Sequence, residues 1–260
     1  MTERAATDPR ISRLRRAVVR GRRRKMITRA SVVLVLGITV WTLLFSPLLQ
    51  VRRVRLVGAT HTTANEVAEV AGLGSDDNLL LMSTAEVEEM TETLPWVGRA
   101  EVTRVLPGTV RIRIVERRPA VLVSLGAARW TVDAGGRVLA AGTARRGLPV
   151  LAGPDIGDIE PGADLRDPEV AGALRAFRSL PSKLSRRVEA IFAPTLERIS
   201  FSLDGATLVR YGPAERLRAK NKVLLAVLDE LRAQGRSAGY IDVRVPTNPA
   251  VSASPAAPRP

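Results

Sequence analysis

The chain has 260 residues, a formal net charge of +14, one histidine and no cysteine. Structural disulfides and thiolate catalysis are therefore excluded, and His61 alone leaves little for a metal site of ordinary composition. The charge is uneven: the first 29 residues carry a net +9 and the remainder +5, which argues against a nucleic-acid-binding body.

Residues 1–29 form a basic tail that includes Arg10, Arg13, Arg15, Arg16, Arg20, Arg22, Arg23, Arg24, Lys25 and Arg29. Residues 30–49, from Ala30 through Trp41 to Leu49, carry no charge. At about 1.5 Å per residue, such a stretch covers the roughly 30 Å of a bilayer's hydrocarbon core, so it predicts a transmembrane helix. A cleaved signal peptide has a shorter apolar stretch and a small-x-small cleavage site, which Leu48-Leu49-Gln50-Val51 does not offer. Only Arg52, Arg53 and Arg55 follow the span closely. The imbalance of basic flanks keeps the N-terminus cytoplasmic and sends the C-terminus outward. The tail itself is read as topogenic charge, with contact to anionic lipid as its natural accompaniment.

Residues 51–57 read as a strand leaving the membrane, ended by Gly58. Thr63-x-x-Glu66 is a capping box, with Val67, Val70 and Ala71 at helical spacing behind it. A second helix starts at Ser83-x-x-Glu86 with Val87, Met90 and Leu94 on one stripe, and Pro95 closes it. Pro107-Gly108 is the turn of a hairpin whose second arm alternates Val110, Ile112 and Ile114 with Arg111 and Arg113. Beyond Pro119 the texture is β-rich, with strands at 120–125 and 129–133, a turn at 133–136 and a strand resuming at Val138. Residues 147–162 form a Gly/Pro-rich connection, and Asp167-Pro168 starts a short helix. Ile191, Ile199 and Phe201 mark strands, and Asp204-Gly205 is a hairpin turn before 207–211. Pro213 opens the longest soluble helix, with Leu217, Leu224, Leu228 and Leu231 on one face, and Gly235 ends it. Residues 240–245 are the final strand, and the Pro/Ala/Ser-rich remainder reads as disordered.

Several passages together resemble the FtsQ/DivIB family of bacterial cell-division proteins. They are Leu94-Pro95-Trp96-Val97 with Ala100-Glu101-Val102 and Arg104; Pro107-Gly108-Thr109-Val110; and Val115-Glu116-Arg117-Arg118-Pro119-Ala120. Trp130, Asp133, Gly136 and Val138 follow in the family's order, then the helix with Lys220 and the segment Tyr240-Ile241-Asp242-Val243-Arg244-Val245-Pro246. The resemblance covers nearly the whole chain from the span to Pro246, and the Arg/Ala-rich composition looks actinobacterial.

The resemblance implies an α+β fold: a single N-terminal transmembrane helix, a POTRA domain of order β-α-α-β-β, and a C-terminal mixed α/β domain with an extended antiparallel-type sheet. The expected organisation is a cytoplasmic basic tail at 1–29, the transmembrane helix at 30–49, the POTRA domain at 50–118, the β domain at 119–246 and a disordered tail at 247–260. It implies a non-catalytic scaffold at the division septum of the plasma membrane, binding FtsB/DivIC-like and FtsL-like proteins outside the membrane. No cofactor, metal, nucleic acid or small-molecule substrate is implied. Partner-binding candidates carried over from the family are Tyr240, Asp242, Arg244 and Val245. Physically, a terminal strand at an open edge offers unpaired N–H and C=O groups to which a partner segment adds; the alternative is that 240–245 is an interior strand whose apolar members are simply core. Alternation places Tyr240, Asp242 and Arg244 on one face and Ile241, Val243 and Val245 on the core side. Here Val245-Pro246 stands where proteobacterial relatives continue an aromatic-bearing strand, so a shorter pairing edge is expected.

Two other functional classes fit the sequence less well. Gly235-Arg-Ser237-Ala-Gly239 matches the G-x-S-x-G string of a nucleophile elbow, but that elbow needs a strand before the serine and a helix after it. The order here is reversed, and the string reads as a helix-to-strand turn. A membrane-anchored wall-processing enzyme needs clustered titratable groups, and none is visible. A POTRA-bearing transport protein would need a following β-barrel. His61 reads as a solvated loop histidine, Trp96 and Trp130 as core, and Arg117-Arg118 as a solvated pair.

Overall fold

A computed structural model describes residues 26, 28–42, 46–126, 128–153, 156–204 and 207–253; the expected basic tail lies almost wholly outside them. Contacts divide the chain into two compact units. One gathers the described residues up to Arg55 with Leu73–Thr84 and Thr103–Arg111; the other gathers Leu56–Gly72, Ala85–Val102 and the chain from Ile112.

Helix α1 covers residues 28–42, and its side chains are exposed throughout. Residues 43–45 lie outside the described part, and Ser46 is extended (φ −71°, ψ 141°) ahead of a 3-10 turn at Pro47–Leu49. A residue before proline is driven out of the helical region, so the helix does not run on to Leu49 as the apolar pattern suggested. Among the described residues no helix is long and apolar enough to cross a membrane.

The next elements are β1 (Arg53–Val57), α2 (Ala64–Val70), α3 (Thr84–Glu92), β2 (Val97–Val105) and β3 (Thr109–Glu116). The expected strand-helix-helix-strand-strand order is present. The strands form one sheet with β3 in the middle. The capping box is complete: Thr63 Oγ1 accepts from Glu66 N–H, and the Glu66 carboxylate accepts from Thr63 N–H. On α3 the buried stripe is Val87 and Thr91, not the expected Met90, which is exposed. Thr91 satisfies its hydroxyl by donating to Val87 O at 2.6 Å, which lets a polar residue occupy the inner face.

The remaining elements are β4 (Pro119–Leu125), β5 (Ala128–Asp133), β6 (Val138–Ala141), β7 (Val150–Ala152), α4 (Pro168–Ser179), α5 (Ser182–Ser185), β8 (Val188–Phe192), β9 (Ser200–Leu203), β10 (Thr207–Arg210), α6 (Leu217–Ala233), β11 (Tyr240–Asp242) and β12 (Ala250–Ser252). Nine strands form one sheet in the order β12-β11-β10-β9-β8-β7-β4-β5-β6. The sheet is mixed rather than of antiparallel type alone. β7 pairs parallel with both β4 and β8, and β10 pairs parallel with β11. The parallel β7 sits inside the stretch that read as an irregular connection, and it inserts Leu151 fully into the core. Apolar side chains of the sheet, among them Val121, Val123, Ile191, Phe201 and Val209, pack with Val170, Leu174 and Leu224 of α4 and α6 in one core.

Helix α6 starts at Leu217, four residues after Pro213, because Arg216 takes a left-handed conformation (φ 49°) at the cap. Its inner face holds more than leucine. Lys220 and Asn221 are both buried, and Lys220 donates from Nζ to Pro213 O at 2.7 Å above the Tyr211 ring. The turn residue Gly205 lies outside the described residues, while β9 and β10 flank it as an antiparallel pair.

Candidate functional site

The segment after α6 turns through exposed Ser237 and enters β11. The order around Ser237 is helix then strand, opposite to a nucleophile elbow. The one histidine is engaged elsewhere. His61 Nδ1 lies 2.9 Å from Glu116 Oε2, while Glu116 Oε1 accepts from Thr60 N–H and His61 N–H at 2.6 and 2.7 Å. The imidazole stacks on Trp96 at 3.8 Å between ring centres. His61 is therefore part of a clamp rather than a free loop residue, and Trp96 is half-buried beneath it rather than a core filler. Burial pushes the Glu116 carboxyl up, but the hydrogen bonds from His61 and Thr60 outweigh it and hold the group below its ordinary value.

Arg117 also departs from the solvated pair expected of it. Its Nη1 donates to Asp133 Oδ2 at 3.0 Å and its Nε to Val97 O at 3.0 Å, whereas Arg118 is exposed. Asp133 is nearly enclosed and also accepts from Gly135 N–H (2.7 Å) and Arg137 N–H (2.9 Å). Trp130 is half-buried beside this core. Among the described residues, no group of three or more metal-capable side chains comes together.

The residues expected to meet a partner do come together. Ile241 and Val243 are fully buried, which turns Tyr240, Asp242 and Arg244 to the other face. There they form one bonded row. Tyr240 Oη donates to Asp242 Oδ2 at 3.2 Å. Arg244 donates to the same carboxylate from Nη2 (2.7 Å), from Nε (3.1 and 3.0 Å) and from its backbone N–H (3.0 Å). Burial raises the Asp242 carboxyl, yet the donors and charge of Arg244, with Tyr240, more than offset this and hold it low. In return the Asp242 hydrogen bond raises Arg244 further. A carboxylate saturated by such donors is no general base. Its role is to fix the guanidinium, which stays about half exposed.

Gly212 completes the seat. Its φ is +71°, and a Cβ there would lie 2.9 Å from Arg244 Cγ. The arginine stem thus lies directly on a backbone that only glycine leaves bare.

Two expectations for this segment need correction. Val245, assigned by alternation to the core side, is 56% exposed, because β11 ends at Asp242 and the chain turns before Pro246. Nor is residues 240–245 the sheet edge. β11 is paired on one side with β10 and on the other with β12, in the register Tyr240↔Ser252, Ile241↔Val251 and Asp242↔Ala250. The described part of the tail expected to be disordered supplies the edge strand. Pro246 and Pro249 interrupt pairing only in the turn between β11 and β12, so the chain returns beyond them as a ladder whose three residues are all exposed.

Of the residues assigned to the span, Ala30 and Trp41 lie on exposed α1, and Leu49 lies in the 3-10 turn, its carbonyl accepting from Leu79 N–H at 2.7 Å.

Residues 49–117 match the family model of the POTRA domain, FtsQ-type. Over longer stretches the chain is similar to curated proteins named cell division protein FtsQ. That of Streptomyces griseus is 31% identical over 212 residues, covering 79% of this chain and 98% of the relative. That of Corynebacterium glutamicum is 26% identical over 197 residues, covering 76% and 85%. That of Streptomyces coelicolor is 29% identical over 235 residues, covering 88% of each.

Proposed function

Starting from the fact that the chain belongs to the FtsQ family of cell division proteins, we propose that it is a membrane-anchored, non-catalytic scaffold of the division septum. A role in cell division follows from the family itself. The scaffold reading adds a single span at 30–49 with the N-terminus cytoplasmic, a POTRA domain at 50–118, a β domain at 119–246, and binding of FtsB/DivIC-like and FtsL-like partners outside the membrane.

The span is supported by sequence and exposure together. Val32, Val33, Leu34, Val35, Leu36, Ile38, Val40 and Trp41 are all exposed on α1, residues 30–42 carry no charge, and the Thr39 and Thr42 hydroxyls donate back to Val35 O and Ile38 O at 2.9 and 2.8 Å. A helix apolar all round needs an apolar surround. The described turns of α1 cover only about 22 Å at 1.5 Å per residue, so the full crossing depends on the uncharged residues that follow.

The observation that carries the partner reading is the bonded row Tyr240-Asp242-Arg244, which starts on β11 next to the edge strand and continues past its end, with Val245 exposed beside it. A guanidinium already held in place loses little freedom when it meets a carboxylate or a carbonyl. Strand addition moves one position outward, from β11 to the free side of β12.

Binding of the extracytoplasmic segment of an FtsB/DivIC-like protein to the full chain in nanodiscs tests this. Arg244→Glu should weaken affinity by about tenfold or more, through lost hydrogen bonds and like-charge contact. Val251→Pro should weaken it comparably if the partner adds to β12. Loss in only one variant assigns the contact to that feature. Wild-type affinity in both would remove the partner surface from this end of the sheet.

A further inference from the structure

The chain emerges from the apolar segment through a stem, Leu49 to Arg53, that is clasped from two sides. On one side Val51 N–H donates to Asp77 O (2.9 Å), Leu79 N–H donates to Leu49 O (2.7 Å), and Gln50 bridges to Asn78. On the other, Arg52 N–H and Arg53 N–H both donate to Gly108 O at 2.8 and 3.2 Å. Gly108 approaches so closely that a Cβ there would stand 2.6 Å from Gln50 O. Two loops are thus tied to the point where the chain leaves the span.

Both loops then turn leucine outward. Leu79 is fully buried and acts as a peg, but Leu80 and Leu81 are 41% and 62% exposed. This is a held conformation: Asn78 Oδ1 accepts from Leu80 N–H at 2.9 Å and from Leu81 N–H at 3.4 Å. Leu106, in the β2–β3 turn, is 63% exposed, and Leu48, on the stem's own 3-10 turn, is 58% exposed. Leu81, Leu106 and Leu48 are each two residues from Leu79, Gly108 and Gln50. Chain geometry therefore keeps every one within about 7 Å, Cα to Cα, of a residue bonded into the stem.

Charge surrounds the leucines. Arg52 reaches Pro47 O from Nη2 at 3.0 Å, Arg104 reaches Met82 O from Nη2 at 2.6 Å, and Arg53 and Arg55 are exposed on β1. The acidic residues of these loops are Asp76 and Asp77, and the Asp77 carboxylate accepts from Gly74 N–H at 2.7 Å. Four exposed leucines near one stem, with Arg52 and Arg104 bonded to carbonyls one residue from Leu48 and Leu81, make the kind of apolar patch that marks a contact surface.

We propose that this leucine-and-arginine foot docks on the lipid leaflet from which the chain emerges, with Leu48, Leu80, Leu81 and Leu106 in the interfacial zone and Arg52 and Arg104 at lipid phosphates. The inference rests on the reading of 30–49 as a membrane span. It adds that the unit next to the span lies against the bilayer instead of swinging on a tether. Lipid is the occupant because the patch begins on the residues that join the apolar segment, so the surface nearest to it is the bilayer holding that segment. Interfacial elements of this kind seat apolar side chains about 5–10 Å into the headgroup boundary, with basic residues at the rim.

The absence of cysteine makes the test direct. Single variants Leu81→Cys, Leu106→Cys, Leu36→Cys and Arg236→Cys of the full chain are labelled with an environment-sensitive dye. They are reconstituted in vesicles of phosphatidylethanolamine and phosphatidylglycerol containing nitroxide lipid. The foot predicts loss of emission at positions 81 and 106, as at 36 within the span, and none at 236. Loss at 36 with 81 and 106 as bright as 236 overturns the foot and leaves the span standing; that is also the outcome if the patch serves a protein instead. Loss at 81 and 106 without loss at 36 overturns the span and, with it, the foot as a surface on the leaflet the chain leaves, and no loss at any of the three overturns both. Leu48→Asp with Leu80→Asp should restore emission at 106. Loss that survives them is the dye's own partitioning and overturns the proposal.

Discussion

Asn221 offers the sharpest test of how the nine-stranded sheet is held to its helices. It is buried on α6 and joins three elements. Its Nδ2 donates to Ser179 O at 2.7 Å and to Ser179 Oγ at 3.2 Å, at the end of α4, and its Oδ1 accepts from the fully buried Tyr211 hydroxyl at 2.9 Å, just after β10. Asn221→Ala removes all three bonds and strands two groups, the Tyr211 hydroxyl and the Ser179 carbonyl. A buried polar group left without a partner costs about 1–3 kcal/mol. The Tyr211 hydroxyl keeps Leu217 O at 3.4 Å and the Ser179 side chain within reach, so its share falls at the low end. The expected loss is about 3 kcal/mol, and for a unit of this size roughly 2–4 °C in Tm per kcal/mol gives a fall of about 6–12 °C. Differential scanning calorimetry of the full chain in detergent reads it. A double-mutant cycle with Tyr211→Phe isolates the mechanism, because once Asn221 is gone the hydroxyl is a liability and its removal should cost less than in the wild type, or stabilise. A coupling of about 0.5–3 kcal/mol is expected for groups in one network. Additive effects, or an Asn221→Ala variant within about 0.5 kcal/mol of wild type, would refute the reasoning.

Three further outcomes follow from the same geometry. Because the folded-state carboxyl of Glu116 is held below its unfolded value, its stabilisation is present above that unfolded value and is lost as pH falls through the folded one; the stability gap between wild type and Glu116→Gln, from denaturant titrations, should close on acidification, and a gap constant with pH would refute the clamp. On the proposed partner reading, Gly212→Ala and Arg244→Ala should both lower partner affinity with circular dichroism unchanged, and wild-type affinity for Gly212→Ala would show that the arginine's seat is irrelevant. Asp133→Asn weakens one charge-assisted bond to Arg117 and should cost about 1–3 kcal/mol by chemical denaturation, where a neutral result would mean that the bonds from Gly135 and Arg137 N–H carry the site alone.

Much of the small sheet and its helices was legible because local chemistry decides it. The Thr63–Glu66 box satisfies its own donors, and the alternation of Val110, Ile112 and Ile114 with arginine leaves one face to bury. The candidate row was legible for the same reason, since period-two geometry alone groups Tyr240, Asp242 and Arg244. The shelf beneath Arg244 was not, because Gly212 lies 32 residues away in sequence and touches it only across the parallel β10–β11 pairing. The leucine spacing of α6 gives no sign that Lys220 and Asn221 are buried. Only the packing of Tyr211 and Ser179 against α6 supplies the partners that let them be buried.

The sequence by itself determined the family, the uncharged apolar stretch and the identity of nearly every element, since periodicity, caps and turn residues act over a few positions. Tertiary structure decided which strand is the edge. Three residues beyond two prolines have too little local preference to declare themselves a strand, and β12 exists because the backbone of β11 offers it a ladder. The same holds for β7, whose parallel partners are separated from it by whole elements. Strand pairing is a bond between distant segments, and no local pattern records where its other half will be.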